Sequence, residues 1–495
     1  MREVIKTPPA SEFIEYVLAP LMEKDAAKSF HYFNQINKAH LLMLCRCRIV
    51  AAEPARSIFR AIRELEAQGV ACIDLDPKRE DFSSCVEAYI LQRCGADIGG
   101  QLHTGRSRND LGGTVTRMAA REALLRSAGQ MNQLRQAMLQ LAGANVETVC
   151  TGYTCGQPAE PVTVAYYFSG YLHALQRDFA RLSDAYERLN QCPLGSCSMA
   201  GTSFPIDRAM VAADLGFYQE TDNALDGIAA RDYLLELLAA LAIFGNHLSR
   251  FCQDMYIWVT HEFSFAEIGG EVAMCSSIMP QKKNPVTFEH VKGKSAHLLA
   301  AFISAAGALK GIPYTQVRDS SIEAAHSLGD ALREIEGAAQ LLIATLRTMR
   351  FSETHLLQMA EENFCTVSEL ANVLVRDCGL SFRQAHTVVG EAVAAILARG
   401  QKPMDITAGL LRDIAEKSCG KAICPTKDMI AAALDAGKNA RSRNSAGGPA
   451  PDQVRRQLAA LSEQLENDAF WCAARQQELI SAEARVEAEI DAILA

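Results

Sequence analysis

A polar, positively charged segment at residues 274–285 interrupts an otherwise apolar, helical sequence. It reads Met-Cys-Ser-Ser-Ile-Met-Pro-Gln-Lys-Lys-Asn-Pro, and because its two prolines do not continue a helix, we predict a loop. Hydroxyl groups, ammonium groups and backbone N–H donors together suit a dianionic substrate better than they suit packing. The alternative is a solvated basic loop. The spacing Ser-Ser-x-x-Pro-x-Lys-x-Asn-Pro within a helical sequence favours a functional site.

Two further polar segments stand out, at residues 103–110 and 151–158. The first reads His-Thr-Gly-Arg-Ser-Arg-Asn-Asp, and its hydroxyl, guanidinium and amide groups can together hold a carboxylate by directional hydrogen bonds. Asn109 and Asp110 are equally good helix-capping residues. Taken alone, this segment supports both interpretations equally.

Helices must position these segments, because helical periodicity dominates the sequence. One apolar stripe at steps of three and four predicts a long bundle helix, and its members are Leu124, Ala128, Met131, Leu134, Met138 and Leu141. Residues 232–258 are apolar on nearly every face, which predicts a helix buried among several others. A third stripe follows a Gly-Gly-Pro breaker and consists of Val454, Leu458, Leu461 and Leu465. Since alternating strand patterns are scarce, we predict an all-α fold.

Glycine and proline runs divide the chain into three predicted regions. These are an N-terminal helical domain at 1–112, a central helical bundle at 113–363 and a C-terminal helical domain at 364–495. Exposed apolar stripes on a central bundle favour a symmetric homo-oligomer.

Composition excludes several classes of protein. The net charge of −9 over 495 residues, without a basic stripe, argues against a nucleic-acid binder. The 16 cysteines form no Cys-x-x-Cys pair and no zinc-like spacing, and no secretory signal is apparent, so we expect reduced thiols in the cytoplasm. The most apolar run, 234–244, is interrupted by Glu236 and is too short to span a bilayer, so we expect no membrane partner. We also expect no cofactor and no metal, because no phosphate-binding glycine loop or metal-ligand cluster is present.

The three polar segments together resemble the signature regions of argininosuccinate lyase, a family of the fumarase/aspartase superfamily. Shorter matches to that family lie at 193–196, 200–208, 382–386 and 447–450, so the resemblance covers nearly the whole chain from about Ala39 to Val454. The resemblance implies an all-helical fold of three domains with a long central bundle. It also implies a homotetramer whose active sites are each assembled from three subunits.

The resemblance also implies roles for individual residues in an elimination that releases fumarate. Ser276 would be the base, acting as an alkoxide, and loop amides and Lys282 would stabilise its charge. The groups that would hold the carboxylate on which charge develops are Ser277, the Met279 backbone, Lys282 and Asn284. Those that would hold the rest of the succinyl group are Ser107, Arg108, Asn109 and Thr154. We further predict that the serine loop is mobile and closes over bound ligand.

One departure from the family concerns proton transfer. In argininosuccinate lyase the second segment continues with a His that pairs with a downstream Glu; here the Glu is kept as Glu289 but the His position is Cys155. A thiol, with an unperturbed pKa of about 8.5, is a poorer near-neutral acid than an imidazole, with about 6.5. Either the leaving amine takes its proton elsewhere, or Cys155 only shapes the pocket. We favour the second interpretation, since most lone cysteines are packing residues.

Other departures concern the arginine end of the substrate. After the Lys-Gly-Ile-Pro turn at 310–313, the family has a Tyr, a Gln and a Lys that contact substrate, and the corresponding positions here are Gln316, Ser321 and Ala324. Arg318 remains and could bind a carboxylate of a different amine partner. The fumarate end is therefore preserved while the arginine end has changed.

These patterns favour a carbon–nitrogen lyase that reversibly cleaves an N-substituted aspartate to fumarate and an amine or amino acid. Enzymes resembling ethylenediamine-disuccinate lyases fit the pattern. A true argininosuccinate lyase is the nearest competitor. A non-catalytic structural paralogue is the alternative of another class.

Overall fold

The computed structural model describes Ile5 and residues 7–495, and helices account for 71% of it, which confirms the predicted all-α class. The α-helices are α1 Ser11–Phe13, α2 Ala19–Lys28, α3 Phe30–Arg46, α4 Ala52–Gln68, α5 Phe82–Cys94, α6 Ala96–Gly99, α7 Arg108–Gly143, α8 Val164–Leu189, α9 Arg208–Asp214, α10 Ala224–Ala229, α11 Asp232–Trp258, α12 Val286–Leu309, α13 Leu328–Thr348, α14 Glu353–Glu362, α15 Val367–Cys378, α16 Phe382–Leu397, α17 Ala408–Cys419, α18 Lys427–Leu434, α19 Ala436–Ser442 and α20 Pro451–Leu494.

Shorter elements connect these helices. The 3₁₀ turns are Val70–Cys72, Pro77–Arg79, Gly100–His103, Gly270–Val272 and Pro403–Asp405, and the π turns are Ile14–Leu18 and Asp319–Glu323. The strands are β1 Val149–Thr154, β2 Gln157–Thr163, β3 Gln191–Cys192, β4 Gln219–Glu220, β5 Ala266–Glu267, β6 Met274–Cys275, β7 Lys283–Asn284 and β8 Arg350–Phe351. They form four two-stranded sheets, of which β3–β4 is parallel and β1–β2, β5–β8 and β6–β7 are antiparallel.

The central bundle consists of α7, α8, α11, α12 and α13, with α20 packed along α7 and α8. The predicted stripe on α7 faces this core: five of its six members are at most 1% exposed, and Leu141 is partly buried against the same core. Burying each large side chain of this kind contributes about 1.5–3 kcal/mol, so the stripe fixes which face of α7 turns inward. The stripe on α20 is buried in the same core.

Helix α11 coincides with the predicted buried helix. By length and composition alone it could cross a membrane, with a mean hydropathy of 1.2 over its most apolar window, and 56% of that window is buried within this single chain. It packs against α8, α12 and α13, so its apolar character is that of a core helix.

Helix α20 packs against both the central bundle and the N-terminal helices α3 and α4. Near its middle Asp468 accepts a hydrogen bond from Arg135 of α7 at 2.5 Å, and both side chains are buried. Farther along, Val486 and Ile490 enter a separate core with α3, α4 and α5, while α15 to α18 form a third core of their own. The three-region division at 112/113 and 363/364 remains a prediction.

Candidate active site

The serine loop, residues 276–282, is closed at its base by the β6–β7 pair, in which Met274 faces Asn284 and Cys275 faces Lys283. The Oγ of Ser276 accepts hydrogen bonds from the backbone N–H groups of Met279 at 3.1 Å and Ile278 at 3.3 Å. Donors aimed at a hydroxyl oxygen favour its anionic form. The local backbone is therefore arranged to lower the energetic cost of a serine alkoxide.

The rest of the loop faces outward. Ile278 is 83% exposed, and Ser277 and Lys282 are also exposed. Lys283 holds the loop to the body of the chain, because its Nζ donates to the carbonyl of Ile268. An exposed apolar side chain at the tip of a charged loop suits contact with a ligand or with another subunit. Closure of the loop over ligand remains a prediction.

The second segment forms the tip of the β1–β2 hairpin, where Thr154 pairs with Gln157. The turn residues Cys155 and Gly156 have φ of +52° and +72°, the backbone of a two-residue hairpin turn. Thr154 and Cys155 are exposed, and among the residues described the Cys155 thiol has no hydrogen-bond partner. Within the single chain the turn directs the Cys155 side chain away from the core, and its role in shaping the pocket remains a prediction.

The first segment caps helix α7. Ser107 is the N-cap, with its Oγ accepting from the N–H of Asn109 at 3.4 Å, and Asp110 Oδ1 accepts from the N–H of Ser107 at 2.8 Å. Asp110 Oδ2 also accepts from the N–H groups of Gly195 and Cys197 at 2.9 and 2.8 Å. The capping interpretation thus holds for Asp110, whereas the N-cap is Ser107 and not Asn109.

The remaining side chains of the first segment point elsewhere. Arg108 Nη1 donates to Asp81 at 2.7 Å and to Glu80 at 3.4 Å, and Asn109 Nδ2 donates to the Ser198 carbonyl at 3.0 Å. Both Arg108 and Asn109 are exposed or half-buried at the start of the bundle, where a carboxylate could reach them. Their substrate-binding role remains a prediction.

Buried His40 supports the backbone just before this segment. Its Nε2 donates to the Thr104 carbonyl at 2.9 Å, and its Nδ1 has no partner. Burial, together with the nearby Arg106 guanidinium, lowers the pKa of His40 to about 3.

This lowered pKa predicts acid destabilisation. As pH falls, the unfolded chain binds the proton near the ordinary pKa of about 6.5 while the folded chain does not, so stability decreases below that pH. From about pH 6.5 to about pH 5 the loss from His40 alone is roughly 2 kcal/mol. A His40→Gln variant keeps an N–H donor without titrating, and in urea denaturation it should show a shallower loss over this range. Equal slopes in the two proteins would contradict the prediction.

Gln316 and Arg318 lie at the same end of the bundle as the first segment. The guanidinium of Arg231, the residue preceding α11, donates to Gln316 Oε1 at 3.4 Å, and Tyr314 donates to Asp226 of α10. Helix α10 in turn contacts α7. Arg318 is exposed, and among the described residues its guanidinium donates no hydrogen bond.

Glu289 lies in the first turn of α12, directly after the serine loop. Its carboxylate accepts a hydrogen bond from Tyr256 of α11 at 3.1 Å. Within the part of the chain that the structure describes, no hydrogen bond joins Glu289 to Cys155, the predicted partner position. The pair Tyr256–Glu289 was missed by sequence reasoning, because nothing links two residues 33 positions apart on different helices.

The candidate residues separate into two groups at opposite ends of one bundle. The first segment and Gln316 lie at the Arg108 end of α7, whereas the hairpin follows its Gly143 end. The hairpin and the serine loop share that second end. The ring centroid of Tyr153 in the hairpin lies 6.4 Å from that of Phe265, which directly precedes β5, and the serine loop follows β5 along the chain. Helix α7 has 36 residues, so at 1.5 Å per residue the two groups lie about 50 Å apart. A single chain therefore brings together only part of the predicted site.

Among the residues described, no group of three His, Cys, Asp or Glu side chains is placed to hold a metal ion. The donors in the two groups of candidate residues are hydroxyl, amide, ammonium and guanidinium groups, which suit carboxylates.

Comparison with known proteins reveals extensive similarity. The sequence matches the family described as Lyase over residues 24–299 and that described as Argininosuccinate lyase C-terminal over residues 364–436. It is 42% identical over 464 residues to argininosuccinate lyase 1 of Shouchella clausii, covering 94% of this chain and 93% of that one. It is 36% identical over 428 residues to argininosuccinate lyase of Methanocaldococcus jannaschii, covering 86% and 87%.

Solved structures are also similar. The structure of EDDS lyase in complex with formate superposes with a TM-score of 0.88 and 29% identity, covering 99% of this chain and 96% of that one. The 3-carboxy-cis,cis-muconate lactonizing enzyme from Pseudomonas putida has a TM-score of 0.71 at 16% identity over 93% and 100% of the two chains, which is a likeness of fold alone.

Proposed function

We propose that this protein cleaves an N-substituted aspartate other than argininosuccinate. The chain is an argininosuccinate lyase-like member of the fumarase/aspartase superfamily, and it is a carbon–nitrogen lyase that forms fumarate. The product besides fumarate is an amine or amino acid. The reaction is reversible, so the same site adds that amine to fumarate.

This proposal rests on the side chains found at the three positions, Gln316, Ser321 and Ala324, that the family uses to contact arginine. The Ser321 hydroxyl donates to the Val317 carbonyl at 3.0 Å, within its own turn, and Ala324 is 1% exposed. The Ser321 hydroxyl is thus already engaged as a donor, and Ala324 has no polar group. Of these three positions only Gln316 has a long polar side chain, so the side chains that the resemblance assigns to the arginine end are shortened or lost at two of them.

In the proposed reaction Ser276, as the alkoxide, removes a proton from the carbon beside one substrate carboxylate. The electron pair passes into that carboxylate, the carbon–nitrogen bond then breaks, and fumarate and the amine leave. Support comes from the two N–H groups aimed at Ser276 Oγ and from the ammonium and amide groups of Lys282 and Asn284, six and eight residues farther along the chain. The amine takes a proton from water or from a neighbouring group.

Argininosuccinate cleavage is the second candidate, and the names of the relatives at 42% and 36% identity favour it. Since those relatives are lyases, a non-catalytic paralogue is the weakest of the three alternatives.

Cleavage of N-substituted aspartates tests the proposed substrate. Purified protein is incubated with argininosuccinate, with ethylenediamine disuccinate and with other N-substituted aspartates, and fumarate is followed by its ultraviolet absorbance. The proposal expects fumarate from at least one substrate other than argininosuccinate, at a kcat/KM well above that for argininosuccinate. A clear preference for argininosuccinate would contradict it.

We further propose a cytoplasmic homotetramer with composite active sites. The separation of about 50 Å along α7 prevents one chain from uniting its own segments. Helix α12 also exposes an apolar face, on which Leu299 is 51% and Ile303 59% exposed, and such a face favours burial against another subunit. The 16 thiols are unpaired, as in a reducing compartment.

Composite sites predict complementation between inactive variants. Arg108→Met and Ser276→Ala alter opposite ends of the bundle, so hybrid oligomers formed by co-expression should contain some sites with both residues intact. Fumarate formation should then exceed that of either variant well beyond their sum. The matched control combines Ser276→Ala with Lys282→Ala, which alter the same loop and should show no recovery. Absence of recovery in the first pair would argue for sites within one chain.

A further inference from the structure

We propose that Tyr256 is a positioning residue that holds Glu289 in place of the family's imidazole, leaving the carboxylate charged to receive the amine partner as an ammonium. This inference rests on the proposed function and deepens it, because it assigns a residue that selects the amine.

Tyr256 lies at the end of the bundle that carries the serine loop. It lies in the last turn of α11, and Glu289 lies in the first turn of α12, five residues after Asn284 of the serine loop. The phenol donates to Glu289 Oε1 at 3.1 Å. A hydrogen bond between two adjacent, antiparallel helices fixes the carboxylate more firmly than a solvent contact would, because both backbones are rigid.

A second contact fixes the phenol ring itself. The Nζ of Lys292 lies 4.6 Å from the centroid of the Tyr256 ring and donates to Gln253 Oε1 at 2.9 Å. Lys292 is three residues from Glu289 on the same helix, so the ring lies between a cation and an anion. This cation–π contact stabilises the face of the ring whose hydroxyl donates to Glu289.

A phenol and the family's His side chain differ in the charge that they can carry. The hydrogen bond to Glu289 and the charge of that carboxylate raise the pKa of Tyr256, so the phenol stays neutral and remains a donor through the neutral range. A protonated imidazole would neutralise the carboxylate, whereas a neutral phenol leaves its charge in place. Cys155, the residue at the imidazole's position, supplies no positive charge either. The Tyr256–Glu289 pair is therefore an anionic subsite next to the serine loop, suited to an ammonium group.

The main test is a double-mutant cycle of Tyr256→Phe, Glu289→Gln and the double variant, measured for addition of an amine to fumarate. We expect Tyr256→Phe to raise the KM for the amine roughly tenfold, the effect of losing one hydrogen bond to a charged group, with little change in the KM for fumarate. The double variant should be no worse than Glu289→Gln, since both substitutions remove the same interaction. Additive losses, or a Tyr256→Phe enzyme like the parent, would overturn the inference.

Recovery of activity by a second substitution distinguishes a positioning role of Tyr256 from a general loss of enzyme structure. In the Tyr256→Phe background, Cys155→His restores the family's partner for Glu289 and should recover part of the lost activity. The matched control is Tyr218→Phe, which removes a phenol that donates to Glu187 at 3.4 Å near the opposite end of the bundle and should leave the amine KM unchanged. No recovery by Cys155→His, or an equal loss in Tyr218→Phe, would overturn the inference.

A spectroscopic measurement keeps this inference separable from the proposed function. Ionisation of Tyr256 is read from the ultraviolet difference between the parent and Tyr256→Phe during alkaline titration, without substrate. Glu289→Gln should lower the pH at which Tyr256 ionises. If it does so while no amine adds to fumarate, the contact stands and the proposed function fails; if the titration is unchanged, the inference fails whatever the activity.

Discussion

Replacing Ser276 with alanine is expected to slow fumarate formation by about 10²–10⁴-fold, the usual contribution of a general base, while folding and assembly are unchanged. The side chain lies in an exposed hairpin loop, and its only described partners are the N–H groups of Ile278 and Met279. Losing these bonds costs little stability, because water can satisfy both donors. Loss of activity would therefore reflect the loss of the oxygen that removes the proton.

The measurement is the initial rate of fumarate release together with the thermal unfolding midpoint. Ser183→Ala is a matched control, because Ser183 is half-buried on α8 and, among the described residues, its hydroxyl donates to the Ala180 carbonyl of its own helix. It should retain full activity. A Ser276→Ala enzyme within a few-fold of the parent would place the base elsewhere.

Replacing Asp110 with alanine is expected to destabilise the fold by about 4 kcal/mol or more, since each buried donor left without a partner costs about 1–3 kcal/mol. The Asp110 carboxylate is fully buried and accepts four backbone N–H bonds, from Ser107, Leu111, Gly195 and Cys197. Burial raises the pKa of Asp110 to about 6, so it remains a carboxylate at neutral pH. The substitution should also reduce substrate binding, because Asp110 fixes the backbone that carries Arg108 and Asn109.

Urea denaturation tests the stability part. The matched control is Asp435→Ala, which removes a half-buried N-cap carboxylate that accepts from the Lys438 N–H at 2.8 Å. A cap of this kind contributes about 0.5–2 kcal/mol. Similar losses in the two variants would show that Asp110 is an ordinary cap and would contradict its role in joining two segments.

The helices could be predicted from the sequence because their apolar residues follow the helical period. The stripe from Leu124 to Met138 follows that period directly, whereas the helix at 232–258 was predicted because it is apolar on nearly every face. Burial in the bundle confirms both. The hairpin was missed for a physical reason. A β-bulge between Gly152 and Tyr153 shifts the register of β1, and prolines interrupt β2, so neither strand shows a clean alternation.

Candidate site residues could be proposed from the sequence, but their arrangement could not. Ser276, Lys282 and Asn284 could be identified because their types and spacing form a recognisable loop. The separation of the first segment from that loop depends on the direction in which α7 runs, which local patterns do not encode. The partner of Glu289 was likewise unpredictable, because Tyr256 reaches it only through the packing of α11 on α12.

Addition of an amine to fumarate tests the proposed specificity directly. Purified protein is mixed with fumarate and a panel of amines, diamines and amino acids, the loss of fumarate absorbance is followed, and adducts are identified by mass spectrometry, with argininosuccinate cleavage run in parallel. We expect an N-substituted aspartate formed with an amine other than arginine, and little argininosuccinate cleavage. Efficient argininosuccinate turnover with no other adduct would contradict it and would show that Cys155, Gln316, Ser321 and Ala324 still serve an arginine-bearing substrate.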